Sequence, residues 1–107
     1  MRARPFHACL AVLLLPLPPV AAAAPRTHVI VIDKMKFGPV PASIHAGDKI
    51  VWVNKDLFRH TATSKPGGFD LDLAPGARAA VVVRKAGAFP VTCRYHPGMR
   101  AMLKVIR

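Results

Sequence analysis

From residue 25 to residue 107 the chain alternates between apolar and polar positions in short bursts, each cut off by turn-forming residues. In segment 27–37, His28, Ile30 and Ile32 fall on one face and Val29, Val31 and Asp33 on the other. A step of two residues between like positions is the signature of an extended strand with one face turned inward. Pro39 and Pro41 interrupt, 42–45 makes a short strand, and Ala46, Gly47 and Asp48 form a turn. The next burst alternates strictly, with Ile50, Trp52 and Asn54 set against Lys49, Val51 and Val53. Trp52 and Phe37 are the large aromatics expected to fill the core. Segment 55–59 reads as a loop, 60–64 as a strand, 65–68 as a turn, 69–73 as a strand and 74–76 as a turn. A Val-rich run over 78–85, a strand over 89–93 and a last strand over 101–107 complete the pattern.

No segment has helical periodicity, and turn signals recur every eight to twelve residues. The chain is therefore expected to be all-β, a Greek-key β-sandwich of seven to eight strands. There is no internal repeat and no linker, so this part of the chain reads as one domain.

The first residues follow a different rule. Arg2 and Arg4 precede an apolar stretch from Leu10 to Leu17, and small residues run from Ala21 to Ala24. That order matches a secretory signal peptide, and the stretch is too short to span a bilayer. The expected division is a cleaved leader over 1–23, with cleavage after Ala22 or Ala23, and an exported domain over 24–107. Export places the domain in the periplasm.

Removing the leader also removes Cys9, leaving Cys93 as the single thiol. A lone cysteine in an oxidising compartment cannot form an internal disulfide, and a free thiol there is a liability unless something occupies it. A bound metal would occupy it and add its binding energy to a small core. Without Arg2 and Arg4 the chain carries 14 Lys and Arg against five Asp and no Glu, a net charge of +9. The basic residues are scattered singly, without a nucleic-acid recognition motif, so nucleic acid is not an expected partner. Acidic proteins, steered in by the positive field, are.

The chemistry concentrates near the C-terminus. Cys93-Arg94-Tyr95-His96-Pro97-Gly98-Met99 places a thiol, an imidazole and a thioether within one short loop, and His60 stands 33 residues upstream. Two imidazoles, one thiolate and a weak thioether are a donor set for copper that cycles between Cu(I) and Cu(II). His60, Cys93, His96 and Met99 are thus the candidate metal ligands. Met102 competes with Met99 for the thioether role, but it lies within the last strand pattern. His28 and His45 have no ligand partners at matching spacing. His60 is expected to approach from the opposite sheet end. No Ser-His-Asp or paired-carboxylate arrangement is present, and four side-chain donors leave no open metal position, so an enzyme is not expected.

These motifs, with Met35-Lys36-Phe37-Gly38-Pro39, Ala46 through Asn54, His60-Thr61, Phe69-Asp70, Leu73 through Gly76 and Gly87 through Pro90, closely resemble the cupredoxins. Among these small blue-copper proteins the likeness is to the amicyanin-like and plastocyanin-like members. The two-residue gaps between Cys93, His96 and Met99 look amicyanin-like. The resemblance implies three equatorial copper ligands, His60, Cys93 and His96, and an axial Met99. It further implies that Asn54 pins the two ligand loops together beside the thiolate. Arg59 departs from the pattern, setting a fixed positive charge before His60 that should favour Cu(I). The function implied is that of a soluble, monomeric one-electron carrier between transient redox partners, with an acidic donor and acceptor. The electron would leave at the His96 edge, framed by Pro97, Phe58 and Pro66. Copper delivery, storage or resistance is the alternative.

Overall fold

The structure is a computed structural model that describes residues 1–18 and 24–107. Residues 1–18 are exposed and carry no regular element. The expected cleavage points after Ala22 and Ala23 lie outside the described residues. Among the described residues, no helix is long and apolar enough to cross a membrane.

The described residues contain nine strands: β1 (Thr27–Asp33), β2 (Lys36–Phe37), β3 (Ile44–His45), β4 (Lys49–Asn54), β5 (His60–Ser64), β6 (Phe69–Leu73), β7 (Arg78–Val82), β8 (Gly87–Thr92) and β9 (Arg100–Ile106). They form a four-stranded sheet in the order β2-β1-β4-β7 and a five-stranded sheet in the order β3-β9-β8-β5-β6. β1 pairs with β4 and β3 with β9 in parallel, while the other pairings are antiparallel. The two mixed sheets make the expected all-β sandwich.

The count exceeds seven to eight because segment 27–37 is not one strand. Lys34 and Met35 both take left-handed conformations, with φ of 51° and 61°. They form a two-residue turn that folds β2 back on β1, pairing Ile32 with Phe37 and Asp33 with Lys36. Positive φ at both central positions defines the type I′ hairpin, whose backbone twist matches that of the flanking strands. The Val-rich run also stops early, at Val82.

The alternation places the core as expected. Ile30, Ile32, Ile50, Trp52, Ala62, Leu73, Val91, Leu103 and Val105 turn inward and are buried. Phe37 meets the Trp52 ring edge-on at 5.7 Å, and Phe69 lies tilted against it at 6.1 Å. Of the strands at the sheet edges, β2 carries Lys36, β6 carries Asp70 and Asp72, and β7 carries Arg78, all exposed, which blunts those edges against further strand pairing.

Candidate metal centre

The site forms where β5 begins, β8 ends and β9 starts. β5 runs antiparallel to β8, with Thr63 opposite Thr92, so the start of β5 lies beside the end of β8. His60 opens β5 and Cys93 directly follows β8, its neighbour in the same sheet, which corrects the expectation that His60 comes from the opposite sheet end. A strand's side chains alternate, so His60, Ala62 and Ser64 point into the sandwich while Thr61 and Thr63 take the other face of the sheet, where Thr61 is nonetheless fully buried. His60 is fully buried and Cys93 is 2% exposed.

Cys93 Sγ lies 3.8 Å from His60 Nδ1 and accepts the Thr61 backbone N–H at 3.3 Å. Burial pushes the thiol up in pKa. The N–H of Thr61, the His60 ring and the N–H groups of Tyr95 and His96 outweigh it, so the thiol sits below its ordinary value. The other face of the imidazole is held by Asp56, with Oδ2 2.9 Å from Nε2. That carboxyl lies below the usual range because of its bond to His60 and the Met35 N–H, so it is ionised and can only accept. In the neutral ring Nε2 then carries the proton, which leaves the Nδ1 lone pair available to a metal, whereas only the protonated ring donates from Nδ1 to the sulfur.

Loop 93–99 is closed by Met99 N–H donating to His96 O at 2.9 Å and Cys93 N–H donating to Met99 O at 3.4 Å. The turn brings Met99 into the core at 4% exposure, whereas Met102 stands 46% exposed on β9 and points away. His96 is half-buried, with its ring centroid 4.8 Å from that of His60 and 6.4 Å from that of Phe58. Among the described residues no three His, Cys, Asp or Glu side chains stand close enough to grip an ion without adjustment. His96, half-buried on the loop, is the least enclosed of the four. The chemistry of the set fits copper: a buried, hydrogen-bonded thiol, two imidazoles of which one has its lone pair aimed inward, and a buried thioether.

Asn54 does not touch this loop. Its Nδ2 group donates to the carbonyls of Phe58 at 2.7 Å, Leu73 at 3.0 Å and Ala74 at 3.3 Å, and its Oδ1 accepts the Asp56 N–H at 2.9 Å. It ties loop 55–59 to turn 74–76. The brace expected of it belongs to Thr61, whose N–H reaches Cys93 Sγ and whose hydroxyl accepts the Arg94 N–H at 2.8 Å. Sequence reasoning passed over Asp56 as well. Its one signal is an acid four residues before a candidate ligand, across a loop.

Two surrounding expectations change and a third holds. Arg59 pairs with Asp72 at 3.1 Å, both about half-exposed, so its charge is largely balanced and screened. Pro66 follows the far end of β5 and lines a hollow with Val83, Arg84 and Phe89, away from His96. His28 is buried against Asp48 at 2.8 Å and His45 is exposed, and neither approaches the site.

Comparison with known proteins agrees with this geometry. The cupredoxin-like domain matches residues 6–105. Amicyanin from Paracoccus versutus is 34% identical over 95 residues, covering 81% of this chain and 72% of that protein. Its crystal structure superposes with a TM-score of 0.63 at 26% identity, over 80% of this chain and 85% of that one. A purple cupredoxin from Nitrosopumilus maritimus shares the fold, with a TM-score of 0.64 at 22% identity over 73% of this chain and 98% of that one. A copper-containing nitrite reductase from Thermus scotoductus gives a TM-score of 0.67 at 25% identity, over 87% of this chain and 27% of the reductase. The chain that folds this thiol, these imidazoles and this thioether into one corner of a β-sandwich belongs to the cupredoxin family.

Proposed function

We propose that this protein is a periplasmic one-electron carrier whose copper is held by His60, Cys93, His96 and Met99. The observation that carries the reading is the buried Cys93 sulfur, which receives the Thr61 N–H and faces His60 Nδ1 at 3.8 Å. When bound, the copper supplies one-electron chemistry by alternating between Cu(I) and Cu(II). Asp56 orients His60 through Nε2 and keeps the ring in one tautomer. The sandwich holds His60 at the start of β5 and Cys93 just past the end of its neighbour β8, so their spacing changes little with the charge of the site. Met99 fills the fourth side from the core and excludes water there.

His96 is the one member of the set that reaches the surface, beside Phe58 and the exposed Pro97. It brings the centre to where a partner can dock briefly. Arg100, Lys55 and the paired Arg59 and Arg94 surround that end with basic groups, which suits small, transient interfaces with acidic donor and acceptor proteins. Residues 1–23 act as a removable export leader, and 24–107 as a monomeric working domain. The four donors are all side chains, which leaves no open position for a substrate and sets the chain apart from an enzyme.

The test is to add Cu(II) to the purified protein and record its visible and EPR spectra. An intense thiolate-to-copper band with narrow hyperfine splitting is expected, and it vanishes in Cys93→Ser. A band that survives in that variant would refute the assignment. Rapid surrender of Cu(I) to a chelator, with no stable Cu(II) form, would favour copper delivery instead.

A further inference from the structure

Four residues on the outer face of the five-stranded sheet form a continuous polar circuit. Thr61 and Thr63 lie two apart on β5 and share that face, and Thr63 is paired across the strands with Asp70 on β6. The Thr63 and Thr61 hydroxyl oxygens are 2.9 Å apart, and the Thr63 oxygen is 2.7 Å from Asp70 Oδ1. Arg94 Nε–H donates to the same Oδ1 at 3.1 Å, and the Arg94 backbone N–H donates to the Thr61 hydroxyl at 2.8 Å.

Counting protons fixes the direction of each bond. A hydroxyl has one hydrogen, and an ionised carboxylate can only accept. The Thr63 bond, and after it the Arg94 guanidinium, holds the Asp70 carboxyl below the usual range, so it is ionised. Thr63 must therefore spend its hydrogen on Asp70, and the Thr61 hydroxyl must donate to Thr63. The order becomes Arg94 N–H to Thr61, Thr61 to Thr63, Thr63 to Asp70, with Arg94 Nε–H returning to Asp70. Both arms of the circuit start on Arg94, the residue that follows Cys93, and both end on the Asp70 carboxylate. The three bonds from the Arg94 backbone N–H through Thr61 and Thr63 run head to tail, so each polarises the next.

We infer that this closed ring positions the Thr61 N–H on the Cys93 sulfur, and that Thr63 and Asp70 are positioning residues for the metal centre although neither touches it. The inference rests on the electron-carrier reading for its purpose, but not for its geometry. The Arg94–Asp70 ion pair is about half-exposed on both sides and contributes little stability as a pair. Its role is to hold the ends of two ligand-bearing segments, 60–61 and 93–94, in fixed relation.

Two readouts test it in the full chain. In the metal-free protein, amide hydrogen exchange at Thr61 and Arg94 is expected to quicken about fivefold to tenfold in Thr63→Val, the equivalent of losing one hydrogen bond. Asp70→Asn should do the same, and Thr63→Ser, which keeps the hydroxyl, should restore the original rate. In the copper-loaded protein, the thiolate-to-copper band should shift in Thr63→Val and Asp70→Asn and not in Thr63→Ser. Asp72→Asn is the matched control, since it removes the same charge from the neighbouring Arg59 pair outside the ring, and it should change neither readout. Wild-type exchange and an unmoved band in Thr63→Val would overturn the inference. So would an Asp72→Asn variant that behaves like Asp70→Asn, because charge alone would then explain both. If wild type itself shows no charge-transfer band, the electron-carrier reading fails, while the exchange data still judge the ring.

Discussion

At the scale of single residues, the site rests on side chains that spend all their hydrogen-bonding capacity. Asn54 is fully buried and serves three carbonyls and one N–H across two loops. Asn54→Ala strands those groups without water, and buried polar groups left unpaired are expensive. The expected loss is about 2–3 kcal/mol in urea unfolding; a loss below half of that would show that the loops find other partners. The ligand candidates themselves were legible, because a thiol, an imidazole and a thioether at three-residue spacing have few other reasons to coincide. Thr61 and Asp56 were not. A threonine in a strand looks like any β-former, and an acid in a loop looks like any solvated charge. Only the pairing of β5 with β8, and the fold of loop 55–59, reveal which atoms they face.

At the scale of elements, the turn between β1 and β2 runs against its own chemistry. Type I′ turns call for Asn-Gly, yet Lys34 and Met35 stand at both left-handed positions. Left-handed backbone costs about 1–2 kcal/mol per ordinary residue. The turn is held partly by Asp56, whose Oδ2 takes the Met35 N–H at 2.9 Å as well as His60 Nε2. Replacing Lys34 and Met35 by Asn and Gly should raise stability by about 1–2 kcal/mol, read as a higher denaturation midpoint. A lower midpoint would mean that the turn is not strained. The unusual pair also explains why segment 27–37 reads as one strand in the sequence. The period-two pattern crosses the turn without a glycine or asparagine to mark it. The other strand positions were legible because burial on one face enforces the alternation. The two parallel pairings were not, since period says which face is inward and nothing about which strand lies alongside.

At the scale of the whole molecule, three of the five Asp residues do structural work. Asp48 takes the His45 and Arg26 N–H groups and then the His28 ring, and lies far below the usual carboxylate range. Asp56 and Asp70 are lowered too. For each, the folded value lies under the unfolded one, so the unfolded chain binds more protons in acid. The stability they contribute is complete above about pH 5 and drains as pH falls through the unfolded carboxylate range. The urea midpoint should drop steadily between about pH 5 and about pH 2, and Asp48→Asn should flatten part of that drop. A midpoint that holds or climbs on acidification would contradict the assignment. Asp48 also marks the end of the sandwich opposite the metal centre, where β1 begins and β9 ends. Ala24, Pro25, Arg26, His45 and Arg107 line a shallow hollow around it. Six or seven residues of strand, about 20 Å, separate that end from His60 and Cys93. A tether attached through either flank of the domain would thus hold it by its back. On an electrode, a bead or a fused partner, the copper-binding corner would face outward, free to meet whatever approaches.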